Sequence, residues 1–137
     1  MHPITISTTV KAPIEKVWDA WTQPKHIMQW NHASDDWETS AATNDVRTGG
    51  KFSSTMRAKD RSASFDFEGT YTDVKKHERL AYTMPDGRKV VVTFTPINGG
   101  VKVTETFDPE RMNPEAMQRQ GWQAILDNFR NHVERQH

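Results

Sequence analysis

In the run Val101-Lys102-Val103-Thr104-Glu105-Thr106-Phe107, Glu105 shares the parity of Val101, Val103 and Phe107. Successive side chains of a strand point to opposite faces, so the alternation that turns these apolar residues inward carries the carboxyl in with them. A carboxylate taken into an apolar interior needs a cation or takes up a proton. Two readings follow. Glu105 is a strand-end residue that reaches solvent or pairs with an arginine such as Arg88, or it is a polar anchor in an otherwise apolar pocket. The other acidic groupings carry less chemistry. Asp66 and Glu68 are spaced like a carboxylate dyad, but Phe65 and Phe67 occupy the inner parity and turn both acids outward. His32, Asp35 and Asp36 share one polar loop without a second histidine or a cysteine, and read as residues that cap and solvate it rather than ligate a metal. The chain has no Gly-rich phosphate loop, no Gly-x-Ser-x-Gly and no His-Glu-x-x-His. No catalytic residue, metal site or cofactor is expected.

Aromatic and thioether side chains form the second candidate group. Trp30, Trp37, Phe52, Phe65, Phe67, Tyr82, Trp122 and Phe129, with Met56, Met84 and Met117, sit at strand or helix spacing, where most such residues are core. A sheet that curls around a helix seldom closes its mouth, and flexible Met and two-faced Trp or Tyr suit the lining of what remains. The ligand-binding set expected from these arguments is Trp30, Trp37, Phe52, Met56, Phe67, Tyr82, Met84, Glu105, Trp122 and Phe129.

These residues need elements to position them. Ile4, Ile6, Thr8 and Val10 alternate with Thr5, Ser7 and Thr9, which predicts a half-buried strand stopped by Ala12-Pro13. Ile14, Val17, Trp18 and Trp21 make the stripe of a short helix, and Pro24 opens a second through Trp30. Asn31 to Asp36 is a polar loop. Strands dominate from Trp37, with turns at Gly49-Gly50, Ala58–Ser64, Pro85-Asp86-Gly87 and Asn98-Gly99-Gly100. The last segment is helical: Asn113 is placed to cap, Pro114 to stand at the first helical position, and Trp122, Ile125, Leu126, Phe129 and Val133 form one stripe. Gln120, Gln123, Asp127, Asn131 and Glu134 lie opposite, and Gly121 borders the stripe where a bare backbone would let the helix approach the sheet. The fold class expected is α+β: a curved antiparallel sheet wrapped around a long C-terminal helix, with two short helices after the first strand, in one domain spanning residues 1–137.

Composition narrows the function classes. Of 137 residues, 18 are Lys or Arg and 18 Asp or Glu, so no net charge attracts nucleic acid or an anionic membrane. The absence of cysteine excludes disulfides and thiolate chemistry. Leu occurs twice, whereas Thr, Val and Ile number 31, which favours strands over a Leu-rich bundle. No apolar run approaches the roughly 20 residues of a membrane span, and the N-terminus has no secretory pattern, so a cytoplasmic location is expected.

Several segments taken together resemble a known family. They are Ala12-Pro13-Ile14-Glu15-Lys16-Val17-Trp18 with Trp21-Thr22, the run from Trp30 to Trp37, Asn44-Asp45-Val46-Arg47, Gly49-Gly50-Lys51-Phe52, the run from Phe65 to Tyr71, Thr104-Glu105-Thr106-Phe107-Asp108, and the run from Gly121 to Phe129. The chain resembles the START-like (SRPBCC) superfamily, specifically small bacterial proteins similar to the C-terminal domain of the heat-shock-protein-90 ATPase activator. The resemblance implies the helix-grip fold with a cavity between sheet and C-terminal helix, and no particular reaction, because its members include carriers, cyclases, resistance proteins and co-chaperone domains. The first functional reading is a binding module for a small apolar or aromatic molecule. The second is a cyclase- or hydrolase-type enzyme using Glu105 or Tyr82. A chaperone-contacting role is the third, and it is weakened by the lack of the separate N-terminal domain that the eukaryotic co-chaperone carries. Neither nucleic acid nor a membrane is expected as a partner.

Overall fold

The computed structural model describes residues 2–136. Along the chain run β1 (Ile4–Val10), α1 (Ile14–Thr22), α2 (Pro24–Trp30), β2 (Trp37–Asn44), β3 (Lys51–Ala58), β4 (Ser64–Lys75), β5 (Arg79–Thr83), β6 (Lys89–Ile97), β7 (Gly100–Phe107) and α3 (Glu115–Gln136). The seven strands form one curled antiparallel sheet in the order β1-β7-β6-β5-β4-β3-β2, so β1 and β2 are its edges. This is the α+β helix-grip arrangement that the alternating segments and the terminal stripe require. Each of β1, β6 and β7 buries alternate residues, and the concave face they build includes Ile6, Val10, Val90, Val92, Val101, Val103 and Phe107.

Local chemistry accounts for the breaks. Pro13 ends the extended run and caps α1 from an extended conformation, and Gln23, also extended, separates α1 from α2, which Pro24 opens. Gly99, at φ +86°, supplies the left-handed residue of the two-residue turn that sets Ile97 opposite Gly100.

Helix α3 lies along β1. The Arg119 guanidinium donates to the Thr5 carbonyl at 2.9 Å and the Gln123 amide to the Ser7 carbonyl at 3.2 Å, while the Lys11 N–H donates to the Glu134 carboxylate at 2.9 Å. Four residues of helix advance about 6 Å and two of strand about 6.8 Å, so the helical period matches the outward carbonyls of an edge strand. Below these ties, Leu126, Phe129 and Val133 are buried in the core.

Helix α3 departs from expectation in several respects. The helix starts at Glu115, one residue after Pro114. Asn113 does not cap it; its side-chain amide and its backbone N–H both donate to one Glu110 carboxylate oxygen at 2.8 Å. Buried Gln118 organises the approach instead, donating to the carbonyls of Glu110 and Asn113 and accepting the Glu110 N–H. Gly121 has no neighbour within 4 Å of the position a Cβ would take, so the helix does not need its bareness. Gln123, expected on the solvent side, is one of the ties to β1. Met117, grouped with core candidates by its type, is 57% exposed.

His26 of α2 and His132 of α3 meet at 2.9 Å, Nδ1 to Nε2, one ring supplying the N–H and the other the lone pair. Burial holds both below the ordinary imidazole value, with Lys25 adding to the effect on His26 against Asp19, and His26 and Arg135 adding to that on His132. The unfolded chain therefore takes up protons first as pH falls below about 6.5, and stability declines over that range until the folded rings titrate. His132→Asn, which removes the pair, is expected to gain stability relative to the wild type as the pH falls from about 7 to about 5, read as the difference between the two proteins' thermal melts. Phe129 is fully buried. Phe129→Ala is expected to cost about 3–5 kcal/mol in urea unfolding, whereas exposed Gln120→Ala should stay within about 0.5 kcal/mol.

Candidate functional site

Because α3 follows the β1 edge, it leaves the inner face of β2 to β5 partly uncovered. A cavity of about 400 Å³ lies there, closed on its other sides by α1, α2, the approach to α3 and the first turns of α3. Of the residues expected to line such a space, Trp30, Phe52, Met56, Phe67, Tyr82, Met84, Glu105 and Trp122 do so.

Trp37 and Phe129 do not. Trp37 stands at the start of β2, one step beyond the cavity, with its ring 5.8 Å from Phe65, which does line it. Phe129 forms the layer behind the wall, edge-on to Trp21 at 4.8 Å and to Trp30 at 5.0 Å. Both residues had the right type and spacing; depth along the sheet and behind the helices separates them from the lining. The expected set left out the other lining residues: Trp21, Ile27, Asn31, Thr43, Asn44, Ser54, Phe65, Tyr71, Arg88, Glu110, Asn113, Gln118 and Ile125. Strand parity was a usable signal for Ser54 and Tyr71, which share the inner face with Phe52 and Phe67.

The rings hold one another in place. Gly69 lies opposite Phe52 in the β3–β4 pair, and a Cβ there would stand 2.7 Å from the Phe52 ring and 3.0 Å from that of Tyr82. The bare position lets those two rings meet edge-on at 4.7 Å. Trp122 stacks on Phe107 with centroids 3.9 Å apart and planes 9° from parallel, and turns its other side toward Phe67 at 6.2 Å. The Trp30 indole N–H donates to the Ala20 carbonyl at 2.9 Å, which fixes that ring at the rim. Such contacts leave an aromatic wall with little freedom to collapse inward.

Polar groups around the cavity divide into committed and free. The Tyr71 hydroxyl donates to the Asn44 side-chain carbonyl at 2.7 Å, and the Asn44 amide donates to the Thr22 carbonyl at 2.8 Å. Burial raises the Tyr71 phenol to about 12 against the effect of that hydrogen bond. Glu105 is 6% exposed, and its cross-strand neighbours are Ile6 and Val92. Among the described residues it has no ion pair and no hydrogen bond, and burial pushes its carboxyl up to about 8. Arg88, the cation expected beside it, instead binds Asp86 across its own turn, Nε to Oδ2 at 2.7 Å. The Arg88 pair expected for a strand-end Glu105 is therefore not made, and the side chain lies on the inner face, lining the cavity. The Tyr82 phenol is raised well above its ordinary value, first by burial and then by the Glu105 charge, with Arg88 opposing. At the loop of His32, Asp35 and Asp36, Ser34 bonds to Asp36 and the His32 carbonyl accepts from Asn128. No group of three or more histidine or acidic side chains among the described residues is placed to hold a metal ion. No helix among them is long and apolar enough to cross a membrane.

Comparison with known proteins places this geometry in company. The family model described as Activator of Hsp90 ATPase homolog 1-like protein matches residues 11–134. The solution structure of an AHSA1-like protein from Aeromonas hydrophila is 47% identical, covering 98% of this chain and 93% of that one, with a TM-score of 0.92. The solution structure of a protein from Cytophaga hutchinsonii is 48% identical with the same coverage and a TM-score of 0.85. A crystal structure from Nitrosomonas europaea, 20% identical over 99% of this chain and 96% of that one with a TM-score of 0.86, shares the fold. Among curated proteins, none matches the chain.

Glu105 gives a direct test of the burial argument. The unfolded carboxyl ionises near the ordinary glutamate value of 4.5 while the folded one stays protonated to about 8, so the native state loses stability through Glu105 as pH rises through that interval. Glu105→Gln, which keeps the shape without the titration, is expected to gain on the wild type from about pH 5 to pH 8 by at most about 1.4 kcal/mol per unit, then level off. Equal melting temperatures across that range would mean that the carboxyl is solvated.

Proposed function

The chain belongs to the family of Activator of Hsp90 ATPase homolog 1-like proteins, and from that premise we propose that it binds a small apolar or aromatic molecule in the cavity between its sheet and α3. The observation that carries this reading is the uncovered inner face of β2 to β5, walled by braced rings rather than filled by the terminal helix. A volume of about 400 Å³ falls within the range of small-molecule sites. Mutual edge-on packing keeps Phe52, Phe67 and Tyr82 from closing it, so a guest meets a preformed surface and little ordering opposes binding.

The chaperone-contacting reading draws on a different feature, the exposed side chains of Met112 and Met117 outside the cavity. It needs the surface and not the cavity, which makes the two readings separable.

The experiment titrates the protein with 1-anilinonaphthalene-8-sulfonate while exciting tryptophan. Trp21, Trp30 and Trp122 line the cavity, so a guest held there is expected to quench them and to emit by energy transfer at one site per chain. Ser54→Phe, which fills the floor of the cavity from β3, should weaken binding by about tenfold or more while the circular dichroism spectrum stays native. Unchanged affinity in a folded Ser54→Phe protein would place the dye elsewhere. Stimulation of a heat-shock-protein-90 ATPase that Ser54→Phe leaves intact and Met112→Glu with Met117→Glu abolishes would favour the surface reading.

A further inference from the structure

Two polar side chains face the cavity without a hydrogen-bond partner among the described residues. Glu105 is 6% exposed and Tyr82 7%, and neither side chain makes a hydrogen bond among the described residues. Both line the cavity. Neighbouring polar groups are occupied with one another: Asn44 with Tyr71 and Thr22, and Gln118 with Glu110 and Asn113. No fully buried side-chain oxygen or nitrogen among the described residues lacks a partner, so the Glu105 and Tyr82 oxygens, which make no hydrogen bond within the protein, are open to the cavity space, and apolar residues of similar size would fill both positions without a polar group to satisfy.

We propose that Glu105 and Tyr82 form a pair of hydrogen-bond donors inside the cavity, and that this pair selects guests carrying an acceptor oxygen, such as an aryl ketone, on an aromatic or apolar frame. This rests on the cavity being the binding site and names the class of molecule that it takes.

Three observations set the polarity of the pair. Glu105 stands among Ile6, Val92, Val103 and Phe107 on the inner face of the sheet, a setting that disfavours the carboxylate, and no cation is bonded to it. Its neutral acid has an O–H to give. Tyr82 is a phenol whose ionisation is opposed by burial and by Glu105, so it too presents an O–H. Arg88 lines the same cavity and acts electrostatically on Tyr82, and its positive charge disfavours a cationic guest. An ammonium guest would need Glu105 to ionise within that apolar wall. A ketone oxygen needs no proton to move. It accepts from donors already in place, and its aromatic frame stacks against Phe52, Phe67 and Trp122.

Other titratable groups around the cavity leave the region near pH 8 to Glu105. Tyr71 is held at about 12 and Tyr82 well above its ordinary value, and the Glu110 carboxylate is engaged by Asn113.

The test compares three probes of one size by displacement of the bound dye and by calorimetry: 2-acetylnaphthalene, 2-ethylnaphthalene and 2-naphthylmethylamine. At about pH 6.5 the ketone is expected to bind about tenfold more tightly than the hydrocarbon, the worth of one well-made hydrogen bond. That preference should collapse as the pH passes about 8, where Glu105 ionises and its donor is lost. In Glu105→Gln the amide N–H keeps a donor in place, so the preference should persist at high pH. Tyr82→Phe should reduce it several-fold at every pH. Equal affinity for ketone and hydrocarbon at low pH overturns the donor pair while leaving the cavity as a binding site. Tightest binding of the amine, lost in Glu105→Gln, overturns it in favour of a counter-ion. If no probe binds, the cavity reading fails and the donor pair with it. Should Glu105→Gln not fold, the wild-type pH profile and Tyr82→Phe decide.

Discussion

The free edge of β1 determines where the rest of the molecule lies. An edge strand presents carbonyls that must find donors, and here α3 supplies them through Arg119 to Thr5 and Gln123 to Ser7, with Glu134 accepting from Lys11 just beyond the strand. Those ties seat a 22-residue helix along one margin of the sheet. Leu126, Phe129 and Val133 then fill the concavity on that side, and α1 and α2 pack against the same helix. The sheet curls on past the helix to β2 at its far edge. The cavity is thus the part of the concave face that a helix committed to β1 cannot reach.

That remaining face would collapse if its side chains were free to fold in. Braced packing prevents it. Gly69 admits Phe52 against Tyr82, Phe107 carries Trp122 as a flat stack, and Trp21, Trp30 and Phe129 interlock behind the short helices. Hydrogen bonds serve the same end: Tyr71, Asn44 and Thr22 form a chain from β4 through β2 to α1 that joins one wall to the rim. Aromatic rings suit this task because each has few torsions to order and a large face to lean on its neighbour.

Glu105 runs against the logic of the fold that surrounds it. Its cross-strand and same-strand neighbours Ile6, Val92, Val103 and Phe107 are apolar, and a Val or Leu there would continue the pattern of Val101 and Val103. Sequences that specify one structure agree with themselves at all levels, and the departures concentrate where function requires them. Burial converts the carboxyl from a charge into a neutral donor, and the cavity gives that donor somewhere to point.

Periodicity alone determined the element order, the antiparallel sheet, the two proline-started helices and the inner parity of Glu105, because alternation and the 3.6-residue stripe are local consequences of backbone geometry. The side-chain types also marked eight residues of the cavity lining correctly. What lay beyond reach depended on contacts between distant segments. Whether Phe129 or Trp37 touches the cavity is a matter of depth, and equal spacing cannot report depth. The pairing of His26 with His132 joins residues 106 apart. The choice of Asp86 over Glu105 by Arg88 was settled by the tight turn that holds Asp86 and Arg88 together. The seating of α3 along β1 decided the first two, since it fixes which rings lie behind others and which polar residues of the helix find partners, and it also sets how much of the sheet stays bare.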